Sequence, residues 1–335
     1  MTQHSLFQRT PGVALAGVVL AFVCSVASYA QPTDPAPDFP SKPVRIIVNS
    51  GPGVSTDVIA RQIGARLATQ WKQPVIIENK PGASGTLGAD FVAKSPPDGH
   101  TLLVGVTNLL QTQFLMRSLP YDFLRDLRPV AMIARGPNAL VVSSNSPANT
   151  LAEYIALVKA NPGKHAYGTY GNGTTAHIWG ETFRRHTNLD IVHVPFKSSS
   201  QMLTDVVGGQ VDAAWPDLGS SMNLIRDGKI KVLAITGSHR HQGLPQVPTF
   251  SELGISGLEP YGWYGVFAPA GTPDKVIRKL SSAWVESINA APINTRLIDM
   301  GLVPAGDSAE VFAATLRTDI PIWGKAIRDG KIQID

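Results

Sequence analysis

The stretch PVRIIVNSGPGVSTDVIARQIGARL, residues 43–67, decides the architecture. Val44 to Val48 is a short β-branched run of the kind a buried strand needs, and Gly51, Pro52 and Gly53 break it. Ser55, Thr56 and Asp57 can each cap a helix, and Ile59, Ile63 and Leu67 then recur at four-residue spacing along one apolar face. Strand, glycine-rich loop and helix N-terminus come in that order. The first N–H groups of a helix have no internal partners and carry the positive end of its dipole. A carboxylate can therefore dock there without any Arg or Lys. For this segment alone the plain alternative stays open, in which Ser55 only caps its helix and the glycines only turn the chain.

From Val44 onward, strand-like runs alternate with helical stretches. They are Pro74 to Glu78, Leu102 to Val106, Val130 to Ala134, Ala139 to Ser143, His165 to Thr169, Ile191 to Pro195, Val211 to Trp215 and Lys231 to Thr236. This alternation predicts an α/β protein with mainly parallel sheets. Ser146 to Asn149 leads into a helix from Leu151 to Lys159, and the chain is expected to cross to a second lobe near this point. At GWYGVFAPAGTPDKV a strand ends in Pro269 to Pro273 and the remainder reads as helical, so the chain crosses back. Lobe 1 is then residues 41–140 and 266–335, and lobe 2 is residues 141–265. Phe312, Leu316, Ile320, Trp323 and Ile327 make an apolar stripe that should pack the last helix onto the first lobe, bent at Pro321. A lobe interrupted by another encloses a cleft that can close on a ligand.

The second lobe repeats the opening arrangement. YGTYGNGTTAHIWGETFRR (residues 167–185) is again strand, glycine-rich loop and a helix opening at Thr174 or Thr175. VPFKSSSQMLTDVVGGQVD (residues 194–212) and AAWPDLGSSMNLI (residues 213–225) give two more such loops. In open α/β sheets ligands lie beyond the carboxyl ends of the strands, where all four loops would gather.

The N-terminus sets the compartment. Arg9 precedes an apolar run from Val13 to Val26, followed by the small residues Ser28 and Ala30 on either side of Tyr29. The run is shorter than the roughly 20 residues needed to span a bilayer, so residues 1–30 read as a cleavable signal peptide and the mature protein as periplasmic. Cys24, the only cysteine, lies in that leader, and Val23 before it is too large for a lipoprotein cleavage box. Residues 31–40 form a Pro-rich lead-in. The formal net charge of +4, one of it on Arg9, comes with no basic run, so nucleic acid is not expected as a partner.

These segments match a known family. PSKPVRIIV, GPGVSTDVIAR, QPVIIENKPGASGTLGADFVAKSPPDGHTLLVG, GNGTTAH, VPFKSSSQML with GGQVDAA, LPQVPTFSELG, GVFAPAGTP and IWGKAIRDGKIQID together resemble the solute receptors of tripartite tricarboxylate transporters, the Bug-type substrate-binding proteins. The resemblance covers nearly all of the mature sequence. It implies a two-lobed, type II periplasmic-binding-protein fold that traps a small organic carboxylate, commonly a mono- or dicarboxylate and sometimes an aromatic acid, acts without a cofactor as a monomer, and docks on transporter membrane subunits. In such receptors the first loop and hydroxyl-bearing loops of the second lobe hold the carboxylate. On this chain the first loop supplies Ser50, Gly53, Val54, Ser55, Thr56 and Asp57. The second lobe supplies Tyr170, Asn172, Thr174, Thr175 and His177, then Lys197 and Ser198, then Trp215 and Asp217. The chain departs from the family pattern at Asn49, Ser50, Gly53 and Val54, and at Phe196, Lys197 and Ser198. With Ser50 making room and Trp215 and Tyr170 offering flat apolar faces, an aromatic or longer-chain acid is expected.

Plainer roles stand beside these. His177 can be a first-turn residue bonded to backbone, Lys197 a solvated surface charge, and Asp217 a loop-ordering group or an acceptor from a ligand ammonium or hydroxyl. A secreted hydrolase is the rival from another class, yet no Gly-x-Ser-x-Gly stretch occurs, and Ser84 reads as a helix cap. His239 and His241 read as surface residues and not metal ligands. A periplasmic partner of a sensor kinase would need the same closure as a transport receptor.

Overall fold

The computed structural model describes residues 39–334, so the leader lies outside the described residues. The chain runs through β1 (Val44–Val48), α1 (Ser55–Trp71), β2 (Val75–Asn79), α2 (Thr86–Ala93), β3 (Thr101–Val106), α3 (Asn108–Leu115), α4 (Phe123–Asp126) and β4 (Leu127–Gly136). It continues through β5 (Ala139–Ser143), α5 (Leu151–Ala160), β6 (Ala166–Thr169), α6 (Thr175–Thr187), β7 (Val192–Pro195), α7 (Ser199–Val207), β8 (Ala213–Ala214), α8 (Leu218–Arg226) and β9 (Ile230–Ile235). It ends with β10 (Gly262–Pro269), α9 (Asp274–Asn289), α10 (Ala291–Asp299), β11 (Val303–Ser308) and α11 (Ala309–Gly330).

Two sheets result, ordered β11-β4-β10-β3-β1-β2 and β7-β6-β8-β5-β9. They are mixed, which corrects the expectation of mainly parallel sheets. β1 is parallel to β2 and β3, and β6 to β7 and β8, but β10 is antiparallel to β3 and β4, and β5 to β8 and β9. The cause is the crossing itself. A chain that leaves a sheet by β4 and re-enters beside it by β10 at the same edge must run the opposite way, and β5 and β9 meet the same condition. The sheet changes at Pro137 and Asn138, and changes back between β9 and β10.

The tail departs from the all-helical reading, because β11 pairs antiparallel to β4. Pro304 and Gly306 hide it in the sequence. Both are tolerated because β11 is an edge strand with a register break between Pro304 and Asp307.

Each sheet is covered on both faces. Ile59, Ile63 and Leu67 of α1 pack with Trp284 of α9 on one face of the first sheet, and Met202 and Val206 of α7 with Leu218 of α8 on one face of the second. The remaining faces share one core, because α11 spans both lobes. Phe312 packs on Trp263 and Phe267 of β10, as the apolar stripe predicts. Trp323, however, stacks on Trp179 of α6 in the second lobe at 4.0 Å between ring centroids. The helix runs on through Pro321. No helix among the described residues is long and apolar enough to cross a membrane.

Strand directions fix where a site can form. β1, β3 and β4 all point their carboxyl ends at one edge of the first sheet, where β10 begins, and β6 and β8 point theirs at the edge where β5 begins. The crossing at Pro137 and Asn138 joins these two edges, so the loops leaving β1, β3, β6 and β8 face one another.

Candidate functional site

The first loop is locked from below. Asn49 is buried against α2, where a Cβ on Gly85 (φ +88°) would come within 2.3 Å of Asn49 Nδ2. Asp57 is also buried. Its Oδ2 accepts from the Gly53 N–H at 2.9 Å and from Arg61 Nε at 3.1 Å, and its Oδ1 accepts from Asn79 Nδ2 at 2.9 Å. The Arg61 guanidinium is the first cause that holds this carboxyl below the usual carboxylate range. The Ser50 and Thr56 hydroxyls bond to each other. These contacts hold the loop's shape, and Ser55 is the one of its side chains that lines the cleft. The helix N-cap is Val54, which offers no side-chain cap, so the opening amides of α1 are left uncapped at the cleft.

A second helix start, absent from the sequence expectation, stands beside it. The Thr107 hydroxyl accepts from the Trp263 N–H at 2.6 Å, and Asn108 Nδ2 donates to the Ser84 carbonyl at 2.6 Å. Ser84 itself sits in a 3-10 turn, and Gly85, not Ser84, is the N-cap of α2.

In the second lobe Thr174 caps α6. Its Oγ1 accepts from the His177 N–H at 3.4 Å and donates to the Gly171 carbonyl at 2.7 Å. Thr175 Oγ1 meets Gln111 of α3 at 3.1 Å from Nε2, a bond from one lobe to the other. His177 takes its plainer role behind the loop. Its Nδ1 accepts from the Gly173 N–H at 3.0 Å, and its ring stacks on His193 at 4.0 Å.

Burial holds both imidazoles neutral, with His193 pushed down to about 4 by burial and then by its neighbour His177. An unfolded histidine titrates near about 6.5, so the stability from this pair is complete above that pH. It is lost as pH falls from there toward 4. Thermal melts of wild type and His193→Asn from pH 8 to pH 4 should show the wild type losing stability across that window and the variant losing less.

The loops enclose a cavity of about 290 Å³. The first lobe lines it with Ser55, Thr107, Asn108 and Tyr264, the second with Tyr170, Thr174, Thr175 and Asp217, and the crossing with Gly136, Pro137 and Asn138. Asn138 Nδ2 donates to the Tyr170 hydroxyl at 3.2 Å and to the Pro216 carbonyl at 3.0 Å, which ties the crossing to the site. Asp217 caps α8, its Oδ1 accepting from the Ser220 N–H at 2.9 Å. Burial first and Asp217 second push the Tyr170 and Tyr264 hydroxyls above the ordinary tyrosine range.

The structure thus brings together Ser55, Tyr170, Thr174, Thr175 and Asp217. Ser50, Gly53, Val54, Thr56 and Asp57 build the first loop around them. Asn172, Lys197 and Ser198 are exposed away from the cavity lining, with Ser198 capping α7. Trp215 requires a correction. Its side chain is 1% exposed and stacks on Phe250 at 5.2 Å, in a core shared with Phe183, so it offers no face to a ligand. Period-two alternation puts Trp215 on the same face as Ala213, toward α6 and away from the cleft. Thr107, Asn108, Asn138 and Tyr264 were missed, although LLVGVTN repeats the strand-then-helix pattern of the first loop.

The model of the tripartite tricarboxylate transporter family receptor matches residues 59–331. The chain belongs to this family. A UPF0065 protein of Bordetella pertussis is 40% identical over 99% of both chains. Among solved receptors, Rpa4515 of R. palustris with adipate is 33% identical at TM-score 0.76, covering 88% of this chain and 99% of that one. MatC of Rhodopseudomonas palustris with bound malate is 32% identical at TM-score 0.72, covering 86% of this chain and all of its own. The fold of the receptor is that of the family's periplasmic binding proteins.

Proposed function

We propose that the protein captures a small organic carboxylate in the periplasm by closing its two lobes and delivers it, as a monomer, to the membrane subunits of a tripartite transporter. The observation that carries this reading is a cavity between two lobes onto which several helix N-termini open, two of them without side-chain caps, with no Lys or Arg in its lining. Such a site suits a carboxylate held on neutral donors. The relatives that hold adipate and malate support the ligand class. With Trp215 in the core, the flat faces left in the lining are those of Tyr170 and Tyr264.

Ser55 and Thr175 lie on different lobes, and binding through both favours the closed state. A hydrogen bond to a charged group contributes roughly 1.5 to 3 kcal/mol, so Ser55→Ala and Thr175→Ala should each weaken binding by about tenfold or more. Calorimetric titration of the mature protein with a panel of carboxylates, after a thermal-shift screen, tests this. Unchanged affinity in both variants would remove the carboxylate from these two helix ends.

A further inference from the structure

We propose that the ligand is a monocarboxylate carrying a hydrogen-bond donor, an ammonium or a hydroxyl, at its far end, and that Asp217 reads that donor. The inference rests on the receptor reading above and concerns the second half of the same site.

Four helices begin at the cavity, and their ends differ in charge. The N-caps of α1 and α3 bring no side chain to the helix amides, and α6 is capped by the neutral Thr174. These three ends keep the partial positive charge that favours a carboxylate, because Asp57 in the first turn of α1 is buried outside the lining and paired with Arg61. α8 is capped by the Asp217 carboxylate, whose full negative charge exceeds the half-charge of a helix end. The cavity is therefore positive along α1, α3 and α6 and negative at one point, where Asp217 is the single charged side chain of the lining.

A dicarboxylate would set its second anion near Asp217 with no Lys or Arg in the lining to compensate. A donor-bearing end finds acceptors instead. A carboxylate has about four acceptor positions. At Asp217 the Ser220 N–H fills one and the Ser199 hydroxyl, at 3.2 Å, another. Asn108, in the same lining, has its Oδ1 buried without a hydrogen-bond donor. Tyr170 and Tyr264 stay protonated beside Asp217 and can donate to whichever anion they face.

The plain alternative is that Asp217 only caps α8. Asparagine caps a helix as well as aspartate does, so Asp217→Asn removes the charge and keeps the cap. Calorimetry on the mature protein should compare probes of equal chain length: hexanedioate, 6-aminohexanoate and 6-hydroxyhexanoate, and the corresponding four-carbon set. Wild type is expected to bind an amino or hydroxy acid at least tenfold more tightly than the matched diacid. Asp217→Asn should erase most of that preference with an unchanged melting temperature. The amino and hydroxy arms distinguish a cationic from a neutral donor. Diacid binding as tight as that of both matched probes overturns the proposal, and so does a preference that survives in Asp217→Asn. If no carboxylate of any class binds wild type, the receptor reading itself fails, and this inference with it.

Discussion

Gly219→Ala should cost the protein most of its ligand affinity while leaving both lobes folded. Gly219 opens α8 in the second lobe and lies against the turn before β11 in the first, and both line the cavity. A Cβ placed on Gly219 would come within 2.0 Å of the Met300 carbonyl oxygen, and one on Gly301 within 2.3 Å of the Gly219 Cα. The obstructing atoms are backbone, which cannot rotate aside as a side chain can. Overpacking of this kind costs about 1 to 3 kcal/mol or more, and here it falls only on the state in which the lobes touch. Moving the lobes apart relieves the clash, so the variant shifts the population toward the open form. Affinity should fall by roughly ten- to a hundredfold, since each 1.4 kcal/mol or so is tenfold. Small-angle scattering should show less ligand-induced compaction, with an unchanged melting temperature for the free protein. Wild-type affinity and compaction in Gly219→Ala would mean that this contact is not part of the bound state.

The largest stability loss is expected from Trp323→Ala. Trp323 and Trp179 are both fully buried and stacked, and each has its indole N–H without a hydrogen-bond partner, so packing alone explains their burial. Removing a buried tryptophan costs about 3 to 5 kcal/mol, and an aromatic pair adds about 0.5 to 1.5 kcal/mol to its area burial. The midpoint of urea unfolding should drop accordingly, with Trp323→Phe losing much less. A loss below about 1 kcal/mol for the alanine variant would show that the surroundings collapse into the space.

Local order was legible in the sequence wherever one segment carries its own signal. Val44 to Val48 is the strand it reads as, because a β-branched run this short, broken at once by Gly51, Pro52 and Gly53, suits a buried strand and is too short for a helix. The α6 start is legible because Thr174 is a capping residue in its own right. What depends on the return of the chain is not. The direction of β10 follows from where β4 leaves the sheet, and the pairing of β11 from an edge that β4 leaves open, and neither is a local property. The same divide runs through the site. Ser55 and Thr175 sit on motifs, whereas Tyr264 and Asn138 reach the cavity only because the two crossings meet there. Trp215 misleads for the converse reason. Its position follows a strand as a cleft residue's would, but the alternation of β8 turns it inward.

The stacked pair between α6 and α11 has an optical consequence. Of the chain's six tryptophans, Trp179 on α6 of the second lobe and Trp323 on α11, the helix that spans both lobes, lie face to face at 4.0 Å. Excited states of two indoles at that separation couple, and the coupling depends steeply on distance and tilt. Opening the cleft must either carry α11 along with the second lobe or slide one ring across the other. The first leaves the exciton signal in circular dichroism intact, and the second changes it. The protein therefore carries an unlabelled spectroscopic reporter of which way its lobes move.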